Sequence, residues 1–180
     1  MTIENLRRSD SPSNTERAAQ GADPDALATV AAADPAAHRA VSVVETVELG
    51  ASASRTWEAI RHFGTWQAWH PAFASTELTR GDGLSKGTVR VLTTQDGGQF
   101  TEELVEFNDN ARSYAYRIID SPAPVMDYVS TIKVQQTPSG STVVWSSRFN
   151  VKAGTSEADA KTLIAGVYRA GLDNLATATQ

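Results

Sequence analysis

The chain contains no cysteine. Disulfide bridges, thiol nucleophiles and thiolate metal sites are therefore excluded. No apolar run approaches the roughly 20 residues that a membrane-spanning helix requires, so no stable membrane insertion is expected. Basic runs are missing as well, and the net charge of −5 argues against a nucleic-acid partner. Only three histidines occur, His38, His62 and His70. They form no HxH or HExxH spacing, so no metal site is assigned. There is no GxSxG elbow and no glycine-rich phosphate loop; Gly97-Gly98 belongs to a hairpin turn. No cofactor is expected.

Aromatic residues are absent from the first 56 positions; Trp57 is the first. Residues 1–40 hold few large apolar side chains, among them Ile3, Leu6, Leu27 and Val30. Such a segment buries too little surface to offset its ordering entropy. It is expected to be a flexible tail, with at most a short helix over 25–33 behind Asp23-Pro24. Arg7-Arg8 is followed by no apolar region, so no export signal is read and a cytoplasmic location is expected.

The remainder, 41–180, has the content of one globular domain. The whole chain is 41% hydrophobic and 21% charged, ordinary values for such a domain. Its clearest pattern lies in two late runs. Tyr128, Ser130, Ile132 and Val134 alternate on one face, and Val143, Trp145, Ser147, Phe149 and Val151 on the next. Period two marks half-buried antiparallel strands, joined here through Thr137–Ser141. Tyr, Ser and Trp on the inner faces carry polar handles, which suits the wall of a cavity.

Upstream, Val41–Leu49 reads as a first strand, with Glu45 interrupting its apolar face. Ser52 or Ser54 can cap a helix running to Phe63, with Trp57, Ile60 and Phe63 inward and Gly64 as its stop. A second short helix spans Trp66–Trp69, ended by His70-Pro71. Strands follow over Phe73–Arg80, Thr88–Gln95, Gln99–Phe107 and Ser113–Ile119, with Asp96-Gly97 a strong hairpin signal. A long helix opens at Thr155 or Ser156 and runs to Ala176. Its apolar stripe reads Leu163, Ile164, Val167, Leu172 and Leu175. The fold class is α+β: a curved antiparallel sheet of about seven strands around a long C-terminal helix, with two short helices after strand 1.

This order of elements resembles the SRPBCC superfamily, the START and birch-pollen-allergen-like helix-grip fold. The likeness is nearest to the bacterial polyketide cyclase/dehydrase group. It is carried by Trp66-Gln67-Ala68-Trp69-His70-Pro71, Gly87-Thr88-Val89-Arg90, Thr101-Glu102-Glu103-Leu104, Tyr114-Ala115-Tyr116, Asp127-Tyr128, Val144-Trp145 and Tyr168-Arg169-Ala170-Gly171-Leu172. The resemblance implies an internal cavity between sheet and helix that holds a small hydrophobic, polyketide- or lipid-like molecule. It also implies, as the other reading, a polyketide cyclase or dehydratase activity in that cavity.

The residues add candidates for the site. Counting back from the Asp96-Gly97 turn sets Arg90 roughly opposite Glu102, within a residue of register. Such a pair could hold a polar ligand group, poise Glu102 as an acid or base, or simply be a structural salt bridge. If both are buried, the cation should keep Glu102 ionised to lower pH while burial alone pushes the other way, so the sign of the shift reports which effect wins. Tyr114 and Tyr116 share a face, and Trp145 points inward by parity. His70, between Trp69 and Pro71, is a candidate proton shuttle or a loop-bonding imidazole. The expected cavity lining is Trp69, Phe73, Tyr116, Tyr128 and Trp145, with His70, Arg90, Glu102, Tyr114 and Gly171 completing the binding set. Of these, Glu102, Arg90, His70 and Tyr116 are the candidates for proton transfer.

Overall fold

The computed structural model describes residues 40–178. The expectations of a flexible tail and a short helix within 1–39 lie outside the described residues. Seven strands form one antiparallel sheet: β1 (Val41–Leu49), β2 (Phe73–Arg80), β3 (Val89–Thr94), β4 (Gln99–Asn108), β5 (Ser113–Asp120), β6 (Val125–Thr137) and β7 (Gly140–Val151). Their order is β1-β7-β6-β5-β4-β3-β2. Helix α1 (Ala53–Ile60), one 3-10 turn (Trp66–Ala68) and helix α2 (Glu157–Ala178) complete the domain. This is the α+β helix-grip arrangement that the order of elements implied.

The β6–β7 hairpin carries the alternation into three dimensions. Tyr128, Ser130, Ile132, Val134, Val143, Trp145, Ser147, Phe149 and Val151 are all buried. Thr137 pairs with Gly140, leaving Pro138-Ser139 as a two-residue turn. Helix α2 packs on β1 and β7. Ser156 caps it, its Oγ accepting from the Asp159 N–H at 3.1 Å. Glu45 tilts toward this helix and pairs with Arg169, which settles the interruption of the β1 face.

Two local expectations are corrected. Helix α1 stops at Ile60, with Arg61 as its C-cap, and not at Phe63. The Phe63 N–H donates to the Gly83 carbonyl at 2.9 Å, and its carbonyl accepts from Arg90 Nη1 at 2.9 Å. Both backbone groups are drawn out of the helix by long-range partners. On α2, Leu163 is 47% exposed, whereas Tyr168 is buried with Ile164, Leu172 and Leu175. The expected stripe holds at Ile164, Leu172 and Leu175, while Leu163 turns outward, Val167 is half-buried and Tyr168 joins the buried face.

The sheet is not continuous between β5 and β6. These strands pair from Ser113–Lys133 to Arg117–Val129 and no further. Asp127 adopts φ +51° at a register shift between Met126 and Val129. β6 bends there, and a cleft of about 490 Å³ opens beside Ile118–Ser121 and Val125–Val129.

Candidate functional site

Arg90 on β3 and Glu102 on β4 are direct register partners, where the turn count placed them to within a residue. Both are buried, at 0% and 4% exposure. Arg90 donates to one carboxylate oxygen only: Nε reaches Glu102 Oε2 at 2.8 Å and Nη2 reaches the same atom at 2.5 Å. The guanidinium lies between the rings of Phe63 and Trp66, 3.7 and 3.5 Å from their centroids. Its cation is therefore stabilised three ways: by Glu102, by the Phe63 carbonyl and by two aromatic faces. Among the described residues, Glu102 has Arg90 alone.

That asymmetry decides the titration of the pair. Burial pushes the Glu102 carboxyl up, against the opposing pull of the Arg90 charge and hydrogen bonds. Of the two opposed effects, burial therefore wins over the neighbouring cation. Protein donors reach only one of the two carboxylate oxygens, and the residue otherwise faces an apolar cavity, so burial outweighs the ion pair.

Inward from this pair lies a cavity of about 80 Å³. Its walls come from the sheet (Phe73, Glu102, Tyr116, Tyr128, Trp145), from α2 (Ile164, Val167, Tyr168) and from Trp66. An engineered cavity that accepts benzene measures about 150 Å³, so this one has room for about two or three waters and no ring. The expected ligand chamber is mostly filled by aromatic side chains. Trp145 stacks on Tyr168 at 4.2 Å, and Trp66 meets Trp145 edge-on at 5.2 Å. Their polar ends satisfy one another. Trp145 Nε1 donates to Ser130 Oγ at 3.0 Å and to Tyr116 Oη at 3.2 Å, and Tyr168 bonds Tyr128 and Ser130. Burial pushes the Tyr114, Tyr116, Tyr128 and Tyr168 hydroxyls up, so these groups are neutral phenols at physiological pH.

The cavity has two outer neighbours. Ile118 and Tyr128 divide it from the β5–β6 cleft. Thr94, Phe100, Ile164 and Val167 are shared with an apolar groove of about 260 Å³, whose outer wall includes Pro122, Pro124 and the exposed Leu163.

His70 stands apart from the cavity walls. Its Nδ1 accepts from the Ala72 N–H at 3.2 Å, which leaves the proton on Nε2 to donate to the Val167 carbonyl at 3.0 Å. The ring thus ties the 3-10 turn to α2 with both nitrogens occupied. Gly171 is the counterpart. A Cβ there would lie 2.5 Å from His70 Cδ2 and 3.1 Å from Trp145 Cζ3. The glycine makes room for the clamp and not for a ligand. Gly171→Ala is accordingly expected to cost about 1–3 kcal/mol through overpacking. Urea unfolding checks this; a loss below half a kilocalorie would mean the imidazole yields freely.

Residues 40–180 match the family described as "Polyketide cyclase / dehydrase and lipid transport". The chain belongs to this polyketide cyclase/dehydrase and lipid transport family. Solved structures agree. The XoxI protein of Bacillus cereus is 34% identical over 77% of this chain and 95% of its own, with a TM-score of 0.72. An uncharacterised Bacillus thuringiensis protein is 35% identical over 77% and 98%, with a TM-score of 0.71. A Thermobifida fusca protein is 27% identical over 75% and 90%, with a TM-score of 0.69. No curated protein matches the chain.

Within this cyclase/dehydrase-type domain, five of the ten expected binding residues border the cavity: Phe73, Glu102, Tyr116, Tyr128 and Trp145. Trp69, His70, Arg90, Tyr114 and Gly171 do not. Tyr114 packs on Trp57 of α1, and its hydroxyl accepts from Trp66 Nε1 of the 3-10 turn at 3.1 Å. Trp69 packs behind Trp66 and Trp145. Arg90 sits one layer back, behind Glu102. Trp66 and Tyr168 are wall residues that the sequence reading missed. Tyr168 was findable, because it lies four residues from both Ile164 and Leu172. Among the described residues no helix is long and apolar enough to cross a membrane.

Proposed function

We propose that the protein binds a small hydrophobic or aromatic molecule between the sheet and α2, and does so in the cytoplasm. The observation that carries this reading is the cavity itself, an apolar pocket with one buried carboxylate in its wall and an apolar groove continuing outward. Family membership supports it, since the family description joins cyclases with lipid transport. In the present form the pocket is too small for a ring, so binding requires the shared wall of Phe100, Ile164 and Val167 to part. Phe100, Ile164 and Val167 meet the adjoining groove on their outer side, which leaves them space into which to move.

A cyclase or dehydratase would use the same space. Its proton-transfer groups would be Glu102 and Tyr116, which border the cavity. His70 suits that role poorly, because both of its nitrogens are already engaged.

Tryptophan emission tests the binding reading, as Trp66 and Trp145 flank the pocket. An apolar fluorescent probe is expected to quench it saturably. Leu163→Asp at the exposed edge of the groove is expected to weaken that binding several-fold while changing stability by no more than about 0.5 kcal/mol. Equal probe affinity in the variant would remove the groove from the site. Native mass spectrometry of protein from its own host would then identify the molecule carried.

A further inference from the structure

We propose that Glu102 Oε1 is the polar anchor of this pocket, and that it selects a neutral apolar ligand ending in a hydroxyl group over a carboxylic acid. The inference rests on the binding reading above and names the class of molecule that site takes.

A buried arginine in a cavity wall would ordinarily suggest a carboxylate ligand. Here its chemistry is turned away. Nε and Nη2 of Arg90 donate to Glu102 Oε2 and Nη1 donates to the Phe63 carbonyl. Phe63 and Trp66 cover the two faces of the guanidinium, and Arg90 forms no part of the cavity wall. The group presented to the cavity is the acid. Glu102 borders the pocket, and its Oε2 is taken by Arg90. Among the described residues no donor reaches Oε1. An acidic oxygen without a partner in an apolar space is costly, and a ligand hydroxyl would satisfy it.

The neighbouring groups favour the same chemistry. Tyr116 borders the same pocket; its Oη accepts from Trp145 Nε1 and shares a hydrogen bond with Ser130, so it donates to a ligand hydroxyl by turning its proton away from Ser130. An acceptor on β4 and a donor on β5 flank one space, from adjacent strands paired through Glu102–Ile118 and Leu104–Tyr116. A hydroxyl is both donor and acceptor and can engage both. A carboxylate would bring a second negative charge beside Glu102, and among the described residues no cation borders the pocket to meet it. The pocket has room for the hydroxyl end, and the apolar body would extend toward Phe100, Ile164 and Leu163 in the adjoining groove.

Three probes of matched shape test this on the full-length protein: 4-propylphenol, propylbenzene and 4-propylbenzoate, titrated by calorimetry at neutral pH. The phenol is expected to bind about tenfold or more tightly than propylbenzene, the worth of a hydrogen bond to a charged group. The benzoate is expected to bind more weakly than either. In Arg90→Met/Glu102→Leu, whose apolar replacements keep the volume, phenol and propylbenzene are expected to bind alike. Equal affinities in the unmodified protein, or a preference for the benzoate, would overturn the anchor while leaving the cavity reading intact. So would a phenol preference that survives the double substitution. Failure of all three probes to bind would overturn both.

Discussion

Arg90→Met is expected to destabilise the protein by about 3–5 kcal/mol, whereas Glu102→Gln is expected to cost only about 1 kcal/mol or less at neutral pH. Removing the arginine strands a buried carboxylate that has no other donor among the described residues. Removing the acid's charge leaves a guanidinium still bonded to the Phe63 carbonyl and held between Phe63 and Trp66. The pH dependence should carry the same sign. Because burial raises the Glu102 carboxyl above its ordinary 4.5, its contribution to stability is full below that value and is lost as pH rises through the folded one. Glutamine does not titrate. Relative to the unmodified protein, Glu102→Gln should therefore gain stability as pH rises from 4 upward. Denaturant unfolding across that range measures it. Equal costs for the two single substitutions, or a relative gain toward acid, would show that the pair is held symmetrically.

His70 supplies the second large effect. Burial pushes its imidazole down to about 4, helped by Arg90 and opposed by the Val167 hydrogen bond. A histidine whose folded value lies below its unfolded 6.5 contributes stability that is present above 6.5 and lost as pH falls through the folded value. At about 1.4 kcal/mol per unit, the difference amounts to about 3 kcal/mol between pH 6.5 and 4. The unmodified protein should lose about that much more than His70→Gln over this window, though the variant starts lower for want of the α2 clamp. Parallel pH profiles for the two proteins would mean that the imidazole is charged, or reaches water, in the folded state.

Much of this architecture can be read in the sequence because the governing rules are local. Period-two alternation placed the inward residues of the β6–β7 hairpin from Tyr128 to Val134 and from Val143 to Val151, but not Val125, beyond the register shift, or Ser141, beside the turn. The Asp96-Gly97 turn fixed the β3–β4 register to within a residue, which brought Arg90 roughly opposite Glu102 without any knowledge of the rest of the sheet. What could not be read depends on partners far along the chain. Phe63 leaves α1 early because Gly83 and Arg90 take its backbone groups. Gly171 looks like space for a ligand until the ring of His70, about a hundred residues earlier, occupies it. The filling of the cavity is likewise a matter of volume. Parity shows that Tyr116, Tyr128 and Trp145 point inward, but not that Trp66 and Tyr168 meet them there. The direction in which the Glu102 acid shifts depends on whether one or both of its oxygens find donors, and pairing rules are silent on that.

The central claim is that a ligand enters beneath α2 and reaches Glu102. The most direct measurement is an isotope-filtered NMR spectrum of the labelled protein with unlabelled 4-propylphenol, which reports which protons lie against the bound molecule. The account predicts contacts from the aromatic ring to Tyr116, Trp145 and Ile164, and from the propyl chain to Phe100 and Leu163. Contacts confined to Ile119, Met126 and Val129, the exposed rim of the β5–β6 cleft, would contradict it.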